Sequence, residues 1–376
     1  MTTSVLLNKP SKGFSTAGSL LERVRLAYQQ GRRLAAPLVG FPACDWLGVS
    51  IKVAQQNYGF HYKCIASVAE KLRPDAVFMM MDLSVEANAL GLPVRFPVHD
   101  SSTVEYHPVR SLEDLRRFQQ INILQDSRIC SYIKTVEMLR TGLPEDILVG
   151  AYVIGPFTLA GLLAGAEQIA ADTILAPEKV ETLCRFSAGV IQPYARALVH
   201  AGADLLCILE PTAAIIGPAD FERFSAAFVR QIIDAVRNTG ADTIYHICGN
   251  SMHLIEPMAR SGVSALSLDS PQIGVNLPLA AQKAGPEVIV IGNVNPVAVM
   301  QEGSPDLVRT TCLELLEQMQ EYPNFILSTG CDLPPGVPLE NLQAFMDTVR
   351  RWRADPSKIR NESLKNRGVI DTISLS

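Results

Sequence analysis

Ile147-Leu148-Val149-Gly150-Ala151-Tyr152-Val153-Ile154 is an unbroken apolar run that stops at Gly155-Pro156. A strand with one wet face alternates polar and apolar residues; a run without polar members suits a strand covered on both faces, as in a parallel sheet. Runs of this kind recur, giving eight candidate strands at residues 38–41, 76–81, 147–154, 204–209, 243–247, 265–268, 288–291 and 325–328. Segments with helical spacing lie between them, among them residues 179–201, 218–239, 252–261, 306–321 and 339–352. Strands and helices alternating in this number predict an α/β chain folded as a (β/α)₈ TIM barrel.

Three stretches fall outside that repeat. Residues 1–36 read as an N-terminal extension, residues 37–355 as the barrel, and residues 356–376 as a polar C-terminal tail. Residues 93–145, after the second strand, are too long for a simple connection. With an extended part at 93–107 and helical parts at 112–125 and 131–140, they predict a lid-like insertion over the barrel mouth.

Composition narrows the function. Hydrophobic residues make up 48% of the 376 residues and charged residues 19%, enough for a large core. A formal net charge of -5 leaves no basic footprint for nucleic acid. Apolar stretches such as 147–163 are broken by Gly155 and Pro156 and fall short of the roughly 20 residues that span a bilayer. The first 21 residues carry Pro10, Gly13 and Gly18 and lack the continuous apolar centre of a secretory signal. A cytoplasmic protein is expected, with most of its eight scattered cysteines reduced and buried.

The predicted strand ends carry the chemistry. They stop at Asp82, Gly155, Glu210, His246 with Cys248, Asp269, Asn293 and Cys331, and in a barrel such ends converge on one face. Residues two apart on a strand point the same way, so His246 and Cys248 can share a cavity, and Cys331 can join them from the last strand. An imidazole and two thiolates suit a zinc ion with a fourth position open to substrate. The spacing equally allows two small buried cysteines and a hydrogen-bonded core histidine. His253 falls in a following helix and points elsewhere; His61, His99, His107 and His200 lack partners at ligand spacing. Met79-Met80-Met81 fits core packing, and Cys44 beside Trp46 is either a pocket residue or core.

The stretch from Ser328-Thr329-Gly330-Cys331-Asp332-Leu333-Pro334-Pro335-Gly336 to Leu342 resembles the final strand, loop and helix of the uroporphyrinogen decarboxylase superfamily. With His246-x-Cys248 it is similar to the His-x-Cys…Cys zinc signature of the methylcobamide:coenzyme M methyltransferase branch. Met81-Asp82-Leu83-Ser84-Val85-Glu86-Ala87-Asn88 and Gly155-Pro156-Phe157-Thr158-Leu159 also match, so the likeness spans roughly residues 20 to 352. It implies zinc on His246, Cys248 and Cys331. It implies further a methyl transfer to a small thiol such as coenzyme M, with methylcobalamin as a substrate carried by a separate corrinoid protein. Tetrahydrofolate is the alternative acceptor, and a non-catalytic corrinoid-protein-binding module a third reading.

The superfamily's decarboxylases hold several substrate carboxylates with an Arg-Gln-x-Gly-Arg segment after the first strand. Here that place reads Phe41-Pro42-Ala43-Cys44-Asp45-Trp46, with Cys331 where they carry His and Leu162 near where they carry Tyr; only Asp82 is shared. Without the arginines a poly-carboxylated tetrapyrrole has no countercharge, so methyl transfer is favoured. Asp82, Glu210 and Asp269 are the candidate catalytic carboxylates. Glu210 or Asp269 would fill the fourth zinc position, and Asp82 would bind substrate or orient a ligand. Their bland alternatives are helix caps and loop anchors. Asn88 departs from the branch, whose members often carry an acid there.

Overall fold

The computed structural model describes residues 18–355, so the expected tail at 356–376 and the first 17 residues of the expected extension lie outside the described residues. Strands β1 (Leu34–Ala35), β2 (Ala76–Phe78), β5 (Leu148–Ile154), β6 (Leu205–Leu209), β7 (Asp242–Ile247), β8 (Ala265–Leu268), β9 (Ile289–Val294) and β10 (Phe325–Thr329) form one sheet. They run in the order β1-β10-β9-β8-β7-β6-β5-β2, and every pair is parallel. Helices cover the outside, giving the (β/α)₈ TIM barrel. A two-stranded antiparallel hairpin, β3 (Val94–Arg95) with β4 (Thr103–Val104), stands apart from it.

The first strand lies four residues earlier than expected, at Leu34–Ala35 instead of residues 38–41, and so within what was read as extension. Pro37 is the reason. It has no N–H to give a ladder, so pairing ends before it, although the chain beyond still leans on β10 through Thr329 Oγ1, which accepts Leu38 N at 3.0 Å. Ahead of the strand, helix Leu20–Gln29 is set by a capping box between Ser19 and Glu22 and buries Leu20, Val24, Ala27 and Tyr28. Leu20 lines the interior cavity at the start of the strands, so this helix closes the lower end of the barrel.

The helical part expected within residues 131–140 is helix Ser127–Gly142, which packs on β5 and on helices Tyr58–Leu72 and Pro177–His200. It is thus a member of the outer ring. The hairpin and two 3₁₀ turns, Leu112–Arg117 and Ile123–Gln125, make up the segment before it.

Alternate residues face inward. The lower cavity is lined by Phe78, Leu148, Cys207, Ile244, Ser267 and Ile291 from successive strands. Gly150 falls between Leu148 and Tyr152 on the same side, and a Cβ there would sit 2.2 Å from the Phe78 ring. Its bareness is what lets Phe78 stack on Tyr152, with centroids 5.2 Å apart. Among the described residues, no helix is long and apolar enough to cross a membrane.

Candidate metal centre

His246 is the fifth residue of β7, Cys248 follows the strand, and Cys331 follows β10 by two residues. Barrel closure brings the three together: Cys248 Sγ is 3.1 Å from His246 Nε2, Cys331 Sγ is 3.5 Å from it, and the sulfurs are 2.9 Å apart. His246 is buried, and among the described residues this is the one group of His, Cys, Asp or Glu suited to a metal, its ligand atoms all within 4.8 Å of one another. His246 Nδ1 lies 2.9 Å from Ser267 Oγ, its register partner on β8. A proton on Nδ1 shared with that hydroxyl turns the Nε2 lone pair toward the sulfurs.

Electrostatics fit a cation among these atoms. Burial drives the His246 pKa down, but the Cys331 sulfur, Asp269 and Asp332 outweigh it and hold the imidazole above its ordinary value. Cys331 is pushed well up, first by its contact with Cys248 and then by burial. Two thiolates this close are costly unless a dication lies between them. Around tetrahedral zinc, with bonds of about 2.0–2.3 Å, such donors sit roughly 3.4–3.8 Å apart. The 3.5 Å separation falls within that range, and those of 3.1 and 2.9 Å fall short of it.

The candidate carboxylates do not join that group. Glu210 is fully buried and accepts the N–H groups of Phe157 and Thr158 at the start of helix Pro156–Ala164, where the positive end of the helix dipole faces it. Burial pushes it up to about 7, against those hydrogen bonds. Gly155 is needed beside it, because a Cβ would fall 2.1 Å from Glu210 Oε2. Asp269 accepts Gly249 N at 2.9 Å and Ser270 N at 2.6 Å, so it fixes the turn that follows Cys248. Asp82 pairs with Arg128, accepts Tyr132 Oη at 3.0 Å, and receives Ser84 N, Ser84 Oγ and Ser102 Oγ at 2.7–2.8 Å. Asn88 Oδ1 takes a further bond from Arg128 at 3.3 Å, so an amide suffices where Asp82 already balances the cation.

Four of the five other histidines have local partners. His61 Nε2 accepts Met80 N at 2.8 Å and burial lowers its pKa to about 3; His107 bonds Leu162 O, His200 bonds Arg196 O, and His253 bonds Ile216 O. Cys44 is core, its sulfur 3.9 Å from that of buried Cys64, and all eight cysteines are free. Sequence reasoning assigned no role to Ser267, Arg128 or Asp332. Asp332 is half-buried beside Cys331 and raised to about 8, chiefly by desolvation. Ser267 alone left a trace in the sequence, as a hydroxyl inside an otherwise apolar run.

The family model described as uroporphyrinogen decarboxylase (URO-D) matches residues 48–352. A methylcobamide:CoM methyltransferase, MtbA, of Methanosarcina mazei is 29% identical over 282 residues, covering 74% of this chain and 80% of the relative. A uroporphyrinogen decarboxylase of Synechococcus sp. is 26% identical over 305 residues, covering 79% and 84%. Among solved structures, a methyltransferase from Methanosarcina mazei aligns with a TM-score of 0.77 over 88% of this chain and 98% of its own, at 23% identity, which speaks for a shared fold.

Proposed function

The chain belongs to the uroporphyrinogen decarboxylase family, and from that premise we propose that it is a zinc-dependent methyltransferase that moves a methyl group from a methylated corrinoid protein to a small thiol. The observation that carries this reading is the meeting of one imidazole and two sulfurs within 4.8 Å at the catalytic end of the barrel. Relatives named for methylcobamide:CoM methyl transfer support it. Against decarboxylation stands the Phe41-to-Trp46 segment, which offers no arginine to a carboxylated substrate.

Zinc held by His246, Cys248 and Cys331 would supply a Lewis acid that keeps the acceptor as thiolate at neutral pH, where a free thiol of pKa about 8.5 is mostly protonated. Ser267 fixes the imidazole, and Asp269 the backbone after Cys248. The acceptor sulfur then attacks the methyl carbon of the corrinoid; the C–S bond forms as the Co–C bond breaks, and its electron pair stays on cobalt. Apolar side chains stand exposed on segments at this end of the barrel. Ile174 and Leu175 are 79% and 77% exposed just before the long helix returns to the lower end, and Ile215 is 61% exposed after β6. They offer a corrinoid protein a surface to dock on. The β3–β4 hairpin and its following turns, tied to the loop after β2 by Ser102 on Asp82, act as the lid. A cytoplasmic setting suits the free cysteines.

Metal analysis tests this directly. Purified protein should hold about one zinc per chain, and Cys331→Ala should weaken binding by more than the ~100-fold that loss of an outer-shell partner can cost. Metal-free wild type, or a Cys331→Ala protein with undiminished zinc, would refute the site. Discharge of methylcobalamin by a thiol and not by tetrahydrofolate fixes the acceptor; the reverse result would make folate the acceptor.

A further inference from the structure

Tyr152 is a buried tyrosine on β5 whose hydroxyl has no hydrogen-bond partner among the described residues. Leaving a buried hydroxyl unpaired costs roughly 1–3 kcal/mol, and buried polar groups are rarely left so. Its side and height in the barrel say what it faces. Leu148 lines the interior, so Tyr152, four residues on, points inward too; His246 and Asn293, two residues beyond Ile244 and Ile291, do the same.

Height follows from the register. From His246 the hydrogen-bonded partners run to Ser267, Ile291 and Ile326, yet the sulfur beside its Nε2 belongs to Cys331, five residues beyond Ile326. The level of the site therefore climbs along the strands from β7 to β10, in the direction the stagger of an eight-stranded barrel requires; that stagger averages about one residue per strand, and Cys331, two residues past the end of β10, reaches beyond it. Toward β5 it falls. There the partners are Leu209 and Ile154, and a drop of one residue for each of two strands lands on Tyr152. Toward β9 the same stagger lands on Asn293, whose Nδ2 donates to Asp269 O at 2.7 Å while its buried Oδ1 is also unpaired among the described residues. One interior layer thus holds His246, Tyr152 and Asn293. After burial itself, Asp332 and the sulfurs of Cys207, Cys331 and Cys248 are what keep the Tyr152 phenol protonated, as expected for neighbours across this layer.

We propose that Tyr152 is an acceptor-binding residue whose hydroxyl donates a hydrogen bond to the acceptor's sulfur beside His246, Cys248 and Cys331. This rests on the thiol-acceptor reading above. A thiolate is an acceptor without a donor of its own, and the Tyr152 hydroxyl is a donor without an acceptor; each satisfies the other. The family's zinc signature contains no tyrosine, so this contact lies outside it.

The test compares wild type with Tyr152→Phe, both loaded with cobalt(II) and titrated with coenzyme M while the visible spectrum is recorded. Above the charge-transfer absorption of Cys248 and Cys331, wild type should gain a further sulfur-to-cobalt band that saturates with thiol. Tyr152→Phe should keep its full cobalt content and melt no lower than wild type, since an unpaired hydroxyl is removed. It should bind the thiol about ten-fold more weakly, with the band moved to longer wavelength because the sulfur has lost a hydrogen bond. Equal affinity with an unmoved band would overturn the proposal, and so would a variant that melts lower or fails to fold, which would give the hydroxyl a structural role. A wild type that takes up no cobalt, or shows no response to thiol, would instead sink the thiol-acceptor reading and this contact with it.

Discussion

Arg128 and Asp82 are a buried ion pair, with side chains 7% and 0% exposed. Removing two charges from water is costly, and here the cost is offset by further contacts: the carboxylate takes bonds from Tyr132, Ser84 and Ser102, and the guanidinium stacks on Phe96 with its carbon 4.7 Å from the ring centre. Such a pair stabilises little as a whole but is expensive to break on one side. Arg128→Met should therefore lose about 3–5 kcal/mol in urea denaturation, from the carboxylate left behind, while zinc content stays at the wild-type level. A loss under 1 kcal/mol would mean that solvent reaches Asp82.

Short helix Val85–Ala89 is fastened to the end of β5 by one bond, Glu86 Oε1 accepting Ile154 N at 2.8 Å. Glu86 is buried, and burial raises its pKa from 4.5 to about 7, with Asp82 adding to the rise and the Ile154 bond and Arg128 opposing it. Because the folded value lies above the unfolded one, the folded protein binds the extra proton. The associated stability is full below about pH 4.5 and is lost as pH rises through about 7. Glu86→Gln keeps the acceptor oxygen and removes the titration. Stability measured from pH 4.5 to 7 should fall in wild type by up to about 3 kcal/mol from this group and lose that part of the slope in the variant. Identical slopes would show that Glu86 is ionised in the folded protein throughout.

The barrel as a whole has one weak seam. β1 and β2 are not joined by a ladder, and Asp75 bridges them instead: its Oδ2 accepts Ala35 N at 2.7 Å and its backbone N donates to Ala35 O at 2.9 Å. Asp75→Ala leaves a buried amide unpaired and should cost about 1–3 kcal/mol. Hydrogen exchange should accelerate first at Ala35 and its neighbours on β1, ahead of β5 to β9; uniform acceleration would mean that the seam opens only with global unfolding.

Seven of the eight strands were legible within a few residues because a strand buried on both faces must be apolar throughout, a local property of the chain. The first was displaced because a two-residue strand ahead of Pro37 carries too little pattern to outweigh the more apolar run behind it. His246 and Cys248 could be placed on one side of a strand from their spacing alone, since the period of two belongs to the backbone. Strand parity cannot tell which levels of distant strands coincide. Only the closed barrel, with its stagger, sets Cys331 beside His246, Ser267 behind it and Tyr152 across from it, and sends Glu210 and Asp269 to backbone N–H groups. Periodicity records which side of its own strand a residue takes; the tilt that matches one strand's height to another's is a property of all eight strands together.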